Sequence, residues 1–124
     1  MVDISNAEFE VLDVLWDMHP ATANELVAKL NENKPWHEKT VKTLLNRLVK
    51  KEAISFKKQQ RSYLYFPLLE RESYTQTESQ SLIERLFNGH LSPLVVGFAE
   101  NKKLKKEDID ELKTIITNWE KENG

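Results

Sequence analysis

The basic side chains of this sequence are concentrated in one segment, whose charge suits a polyanionic partner. Between Lys34 and Arg61 the chain carries nine lysines and arginines and two acidic residues, whereas the rest carries nine basic and 18 acidic residues. The formal net charge of -2 hides this separation. Such a division of charge favours binding of a polyanion by the basic segment. On charge alone, a solvated helix face and loop is the alternative explanation.

A polar stripe in the basic segment has residue types that can contact DNA bases. Lysine can pair with guanine O6 and N7, asparagine with adenine N6 and N7, and a threonine methyl group can touch the thymine methyl group. Positions 39, 42/43 and 46 fall on one side of a helix, away from its apolar residues. The side chains predicted to read bases are Lys39, Thr40, Lys42, Thr43 and Asn46.

A second set of residues is suited to the DNA phosphates rather than to the bases. Some lie further along the same helix, others in a polar hairpin, and two open a helix whose amides can bind a phosphate oxygen. For the lysines at the helix C-terminus, Lys50 and Lys51, stabilisation of the helix dipole is an alternative role. The predicted phosphate contacts are Thr22, Ala23, Arg47, Lys50, Lys51, Lys57, Lys58, Arg61 and Tyr63.

No residue pattern typical of an enzyme or a metal site is found. The chain has no cysteine, three glycines and three scattered histidines. Thiolate ligands, a glycine-rich phosphate loop, nucleophile motifs and the paired histidines of a metal-binding helix are therefore missing. We predict no catalysis, no cofactor and no metal. Because no apolar run approaches the roughly 18 residues of a membrane span and the acidic first residues do not resemble a signal peptide, we expect a cytoplasmic protein without a membrane partner.

Three short helices and a hairpin are predicted to position these residues. Capping-box patterns at residues 5–8 and 22–25 start the first two helices. The third helix should run from near His37 to about Lys51, since its apolar residues follow i, i+3, i+4, i+7 and i+8 spacing: Val41, Leu44, Leu45, Leu48 and Val49. Residues 54–58 and 63–67 alternate between apolar and polar, which predicts two strands with a basic tip. This order is typical of a winged helix-turn-helix.

The second half of the chain is predicted to be helical and to need a partner. A helix over residues 70–87 ends at Asn88-Gly89, a short helix has Ser92 as N-cap and Pro93 as its first residue, and a last helix spans about residues 106–122. Nothing in the chain remains to cover their apolar faces, so we expect them to pack against a second copy. The predicted dimerisation residues are Leu82, Leu86, Leu94, Val95, Phe98, Ile109, Leu112, Ile116 and Trp119.

Together these patterns predict a mainly α fold with two parts. Residues 1–69 would form a winged-helix DNA-binding domain with three helices and a β-hairpin wing, and residues 70–124 a helical dimerisation region. These patterns predict a homodimer that binds double-stranded DNA in the control of transcription. One alternative is a winged-helix module that binds an acidic protein, and the patterns leave open whether a regulator of this fold is a transcriptional repressor or a transcriptional activator.

The run K-T-V-K-T-L-L-N-R-L at residues 39–48 resembles the BlaI/MecI-type penicillinase and methicillin-resistance repressors, a family that includes the copper repressor CopY. The resemblance extends over nearly the whole chain, through Trp16 and the segments at residues 4–11, 36–38, 49–51, 63–67, 94–98 and 107–112. It implies a homodimeric winged-helix repressor on a pseudo-palindromic operator, with readout by the basic and threonine residues at positions 39, 40, 42 and 43.

The same resemblance implies a route of release. In the β-lactam members, a sensor-linked protease cleaves the dimerisation region before a phenylalanine that matches Phe98. The preceding residue is Gly97 here, whereas the best-known members have asparagine, and the possible cleavage site is therefore the Gly97-Phe98 bond. The copper branch senses metal through C-terminal cysteine pairs, which this chain lacks.

Overall fold

The predicted order of helices and strands is confirmed by a computed structural model, which describes residues 3–123. In that range the elements are α1 (Asn6–Asp17), α2 (Ala23–Leu30), α3 (Glu38–Lys50), β1 (Ile54–Gln59), β2 (Ser62–Pro67), α4 (Arg71–Phe87), α5 (Ser92–Glu100) and α6 (Lys106–Asn123). The strands form a two-stranded antiparallel hairpin. The fold is therefore mainly helical, with a wing after the third helix.

The chain divides into two compact units, Met1–Gln76 and Thr77–Gly124. The first turn of α4 thus belongs with the winged helix, whereas the rest of α4 belongs with α5 and α6. The predicted division into a DNA-binding domain at residues 1–69 and a dimerisation region at residues 70–124 is a functional one, and it stays a prediction.

Local hydrogen bonds start the first three helices. The Ser5 hydroxyl accepts from the amide of Glu8 at 3.1 Å, and the carboxylate of Glu8 accepts from the amide of Ser5 at 2.8 Å. Thr22 and Glu25 form the same capping box, at 3.2 and 2.8 Å. Both boxes were predicted from the sequence, and each satisfies amides that the helix itself leaves without acceptors. The start of α3 differs, because His37 caps it and its Nδ1 accepts from the amide of Lys39 at 3.1 Å.

The core of the first unit forms where the apolar stripes of α1, α2 and α3 meet. Its fully buried side chains recur at three- and four-residue spacing, which places them on one face of each helix. The wing joins this core through Tyr65, whose backbone exchanges hydrogen bonds of 3.0 and 2.8 Å with Ala21. The buried core consists of Val11, Leu12, Leu15, Ala21, Leu26, Leu30, Val41, Leu44, Leu45, Leu48, Ala53, Ile54 and Tyr65.

The first turn of α4 is fastened to α1 by aromatic and charged side chains. The indole Nε1 of Trp16 donates to the carbonyl of Leu69 at 2.8 Å. Arg71 lies over the Trp16 ring and pairs with Asp13 and Asp17 at 3.2 and 3.0 Å. The ring of Tyr74 packs 6.0 Å from that of Trp16. Trp16 is therefore a packing residue that holds the end of the wing and the start of α4.

The end of α4 lies where the sequence predicts it, whereas the predicted start of α5 is wrong by one residue. Asn88 and Gly89 both adopt positive φ angles, 54° and 83°, and end α4. The prediction that Ser92 is the N-cap of α5 is wrong. Leu91 occupies that position with α-region dihedrals and without a side-chain hydrogen bond, so Ser92 lies inside the first turn. Pro93 fits there because the early amides of a helix need no intrahelical acceptor.

The second unit exposes a large share of its apolar side chains. No side chain in α4, α5 or α6 is buried over the residues that the structure describes. Several of the predicted dimerisation residues are among the exposed ones, and the sequence-based set omitted Leu91, Val96 and Ile115. The exposed large apolar side chains of this unit are Leu82, Leu86, Leu91, Val96, Phe98, Ile109, Ile115, Ile116 and Trp119.

Candidate nucleic-acid interface

One exposed face of α3 carries a straight row of polar side chains. Lys39, Thr43, Asn46 and Lys50 follow i, i+4, i+7 and i+11 spacing, and all of them are exposed. The buried side chains of the same helix, from Val41 to Leu48, point in the opposite direction. Thr40 and Lys42 flank the row on either side. The structure therefore presents the five predicted base-reading residues on one accessible surface.

The side chains of this row differ in what they already bind. Among residues 3–123, Lys39, Thr40 and Asn46 make no side-chain hydrogen bond or ion pair. Lys42 Nζ pairs with Glu38 Oε1 at 2.9 Å, and the hydroxyl of Thr43 donates to the carbonyl oxygen of Lys39 at 2.9 Å. The hydrogen bond from Lys42 holds the pKa of Glu38 below its usual value. Lys42 thus has an acidic competitor for any DNA contact.

A concavity of about 340 Å³ joins α3 to the start of α2 and to the wing. It brings together predicted base-reading and predicted phosphate-binding residues that are far apart in the sequence. Since the capping box uses the amide of Glu25, the amides of Ala23 and Asn24 point out at the α2 N-terminus as donors. The concavity is lined by Thr22, Ala23, Asn24, Lys42, Asn46, Arg61, Ser62, Tyr63 and Tyr65.

The wing divides its basic residues between two faces. In the strand register Lys58 lies opposite Tyr63, whereas Lys57 lies opposite Leu64. Because successive side chains of a strand alternate, Lys58 shares a face with Tyr63 and Lys57 points to the other side. Lys57 accordingly lines a separate concavity of about 260 Å³ with Pro20, Leu64 and Phe66. Of the four predicted wing contacts, Arg61 and Tyr63 border the α3 concavity.

Lys51 has a different role from the one predicted. Its Nζ donates to the carboxylate of Glu8 at 2.7 Å and to the carbonyl of Asp3 at 2.6 Å. Glu8 is only 1% exposed. Removing the cation from a buried carboxylate is strongly unfavourable, so Lys51 is held at Glu8. Lys51 therefore has a structural role, as the partner of Glu8 rather than through the helix dipole, and we remove it from the predicted phosphate contacts.

The environment of Glu8 shows why this pairing is needed. Burial raises the pKa of Glu8, but hydrogen bonds from Lys51 and Ser5 outweigh burial, and the pKa lies below its usual value. Its second oxygen, Oε2, is buried and has no hydrogen-bond partner among residues 3–123. Sequence reasoning identified Glu8 only as a capping residue, since its partner lies 43 positions away. By contrast, the i, i+4 spacing of Glu38 and Lys42 was a readable signal for their ion pair.

Glu38 is expected to weaken the attraction of this surface for any DNA. Replacing Glu38 with glutamine removes a negative charge and frees Lys42, so binding to random-sequence duplex should tighten and fall more steeply with salt. The preference for a specific site over random duplex should shrink. Fluorescence anisotropy at several salt concentrations would measure both, with Glu32→Gln, which releases Lys29 at the end of α2, as the matched charge control. Equal tightening by both variants would assign the effect to net charge alone.

Neither a metal centre nor a membrane span is found in residues 3–123. No group of three or more His, Cys, Asp or Glu side chains is placed to hold a metal ion in that range. No helix of the described part is long and apolar enough to cross a bilayer.

Sequence comparisons identify known proteins that are similar to this chain. The sequence profile of the penicillinase repressor family matches residues 4–118. A penicillinase repressor of Bacillus licheniformis is 37% identical over 113 residues, which cover 91% of this chain and 88% of that protein. The methicillin resistance regulatory protein MecI of Staphylococcus aureus is 33% identical over 114 residues, covering 92% of this chain and 93% of MecI.

A solved structure is similar to the winged-helix part. The solution structure of the Bacillus licheniformis BlaI monomeric form in complex with the blaP half-operator superposes with a TM-score of 0.51 at 36% identity. The superposition covers 58% of this chain and 88% of that one. The predicted winged helix therefore matches a known structure of the same architecture.

Proposed function

Because the chain belongs to the penicillinase repressor family, we propose that it is a transcriptional repressor that binds operator DNA and blocks transcription. The observation that carries the proposal is the single surface on which the exposed row of α3, the α2 N-terminus and the wing tip meet. The relative solved in complex with a half-operator supports DNA binding by this winged helix. The relatives named above are a penicillinase repressor and a methicillin resistance regulatory protein, and we propose no catalytic activity and a cytoplasmic location beside the DNA.

The proposed binding mode places α3 in the major groove. In a helix-turn-helix the second helix of the pair contacts base edges while the first crosses the backbone. The bases would then be read by Lys39, Thr40, Lys42, Thr43 and Asn46. The phosphates would be held by the Thr22 hydroxyl and the Ala23 amide at the α2 N-terminus, by Arg47 and Lys50 of α3, and by Lys58, Arg61 and Tyr63 of the wing, with Lys57 on the other face of the wing. These charged contacts would make binding fall steeply with salt.

A homodimer is the second part of the proposal. Large apolar side chains of α4 to α6, among them Leu86, Phe98 and Trp119, are exposed in the single chain, and a second copy offers the same apolar surface in return. Two winged helices related by a two-fold axis would reach half-sites about 34–36 Å apart, or a multiple of that distance. A pseudo-palindromic operator would follow from this symmetry.

The function is tested by selecting duplexes from a random-sequence pool with the full-length chain. We expect a two-fold-symmetric motif, bound more tightly than random duplex and with an affinity that falls as salt rises. Asn46→Ala should weaken binding to the selected duplex by about 1–3 kcal/mol and relax the preference at one position of each half-site. Failure to enrich any sequence would contradict the proposal and favour a module that binds an acidic protein.

Release by proteolysis at the Gly97-Phe98 bond is the remaining part of the proposal, and it requires a sensor-linked protease as partner. Both residues lie inside α5, and the Phe98 side chain is 48% exposed. Cleavage of a helical bond requires that the helix opens locally. It would separate α6 from the rest of the chain and weaken the dimer on which operator affinity depends.

Gly97 is expected to make this opening easier. A glycine inside a helix costs roughly 0.5–1 kcal/mol relative to alanine, and a Cβ at Gly97 meets no atom of the described residues within 4 Å beyond its sequence neighbours and the backbone of its own helix. Gly97→Ala should therefore stabilise α5 and slow chymotryptic cleavage after Phe98 several-fold, as measured by mass spectrometry over time. Ala99→Gly is the opposite control and should speed the same cut. Cleavage that is indifferent to both changes would mean that opening of α5 is not limiting.

A further inference from the structure

We propose that Thr43 recognises the 5-methyl group of a thymine through its own methyl group, because its hydroxyl proton is already used inside α3. The inference rests on the proposed function and deepens it, since it assigns one contact chemistry to one position of the groove surface. It concerns the discrimination of thymine from the other bases, a task to which the hydrogen-bonding side chains of the row are less suited.

The hydrogen bond of Thr43 limits what this side chain can do. Its Oγ1 donates to the carbonyl oxygen of Lys39 at 2.9 Å, one turn earlier in the helix. A threonine hydroxyl has one proton, and this bond occupies it. Phosphate oxygens, guanine O6 and N7 and thymine O4 are all acceptors, so they cannot bind Thr43 unless the helix bond breaks. The groups left for DNA are the methyl group and the lone pairs of the hydroxyl oxygen.

The position of Thr43 favours the methyl group over the lone pairs. Thr43 is exposed at the middle of the polar row, with Lys39 one turn before it and Asn46 one turn after it. The side chains of both neighbours lack protein partners in the described part of the chain, so polar base edges beside Thr43 have donors and acceptors within reach. Thymine is the base that adds an apolar group to the major groove, and a methyl group is its complement.

The test removes the methyl group from each partner in turn, and removes the hydroxyl of Thr43 separately. Thr43→Val keeps a methyl group and loses the hydroxyl, whereas Thr43→Ser keeps the hydroxyl and loses the methyl group. Each full-length variant is titrated against the duplex that the unaltered chain selects from a random pool, made once with thymine and then with uracil at each thymine position in turn. Uracil removes only the base methyl group and leaves every hydrogen bond in place.

We expect the methyl contact to be worth about fourfold in affinity for each half-site, as for the burial of one methyl group. Thr43→Ser should lose this factor on the thymine duplex and lose nothing further when uracil replaces the contacted thymine. Thr43→Val should bind the thymine duplex nearly as well as the unaltered chain and remain sensitive to uracil. Thr114→Ser is the matched control, because the hydroxyl of Thr114 makes the same bond to Asp110 at 3.1 Å in α6.

Two results would overturn the inference and differ in what they say about the function. If a duplex is selected but Thr43→Ser binds it as the unaltered chain does, the methyl group makes no contact and the inference fails, while the proposed function stands. If Thr43→Val also loses the affinity that Thr43→Ser keeps, the hydroxyl oxygen is the group in contact. If no duplex sequence is selected at all, the proposed function and this inference fail together.

Discussion

Replacing Trp119 with aspartate is expected to give a monomer that binds operator about 10²- to 10⁴-fold more weakly than the unaltered chain. Trp119 is 61% exposed and lies on the same face of α6 as Leu112 and Ile116. A charge in the middle of this face would have to be buried without a partner when two copies associate. Each winged helix alone would then hold one half-site, without the gain in effective concentration that a linked second site provides.

Sedimentation velocity would give the oligomeric state and a gel-shift titration the operator affinity. Thr117→Asp is the matched control, because it introduces the same charge two residues away on the polar side of α6, and it should leave both measurements unchanged. Ile116→Asp should reproduce the effect of Trp119→Asp. A dimer that survives both apolar-face variants would place the interface elsewhere.

Replacing Lys51 with methionine is expected to lower the free energy of unfolding by about 2–4 kcal/mol at neutral pH, somewhat below the range for a completely buried pair. The variant leaves the carboxylate of Glu8, 1% exposed, without its cation. The loss is smaller than for a fully buried pair because the side chain of Lys51 is itself 36% exposed.

The pH dependence of the free energy of unfolding distinguishes an unpaired Glu8 carboxylate from a loss of packing. In the unaltered chain the pKa of Glu8 is lowered, so its contribution is present at neutral pH and is lost as the pH falls through the folded-state pKa. Without Lys51, burial dominates and raises the pKa of Glu8, so the variant is destabilised above that pKa and relieved below it. The difference in stability between the two proteins should therefore begin to shrink as the pH falls through the raised pKa of the variant, above the usual glutamate value of 4.5, and shrink further below 4.5 as the unaltered chain loses its own contribution.

Urea unfolding followed by circular dichroism from pH 7 to pH 4 would measure this difference. Lys50→Met is the control for stability, since Lys50 is exposed and pairs with no acidic group in the described part of the chain. A difference between Lys51→Met and the unaltered chain that stays constant with pH would indicate lost packing rather than an unpaired carboxylate.

The two lysines at the end of α3 mark the limit of what the sequence could predict about the site. For both lysines the sequence allows a phosphate contact or stabilisation of the helix dipole, because adjacent lysines at a helix C-terminus have the same local surroundings. The role of Lys51 depends instead on Glu8 and Asp3, which lie 43 and 48 positions away. Lys57 is a similar case, since the hairpin register turns its side chain away from the concavity that Arg61 and Tyr63 border.

The elements themselves followed from local patterns. The capping boxes at Ser5 and Thr22 and the spacing of apolar residues in α3 depend on neighbours within four positions, and the structure confirms each of them. The one wrong cap, Ser92, lies where a proline fits either of two adjacent helix positions, so the local pattern did not fix the first residue of α5.

The sequence by itself determined the winged-helix order, the polar face of α3 and the apolar faces of α4 to α6, because helix periodicity and capping are short-range properties of the chain. The tertiary structure alone decided that Lys51 binds Glu8 and that the wing and the α2 N-terminus lie beside that face. The carboxylate of Glu8, the wing and the α2 N-terminus reach their places only when distant segments pack on one core, and a side chain's partners depend on distances that no local pattern contains.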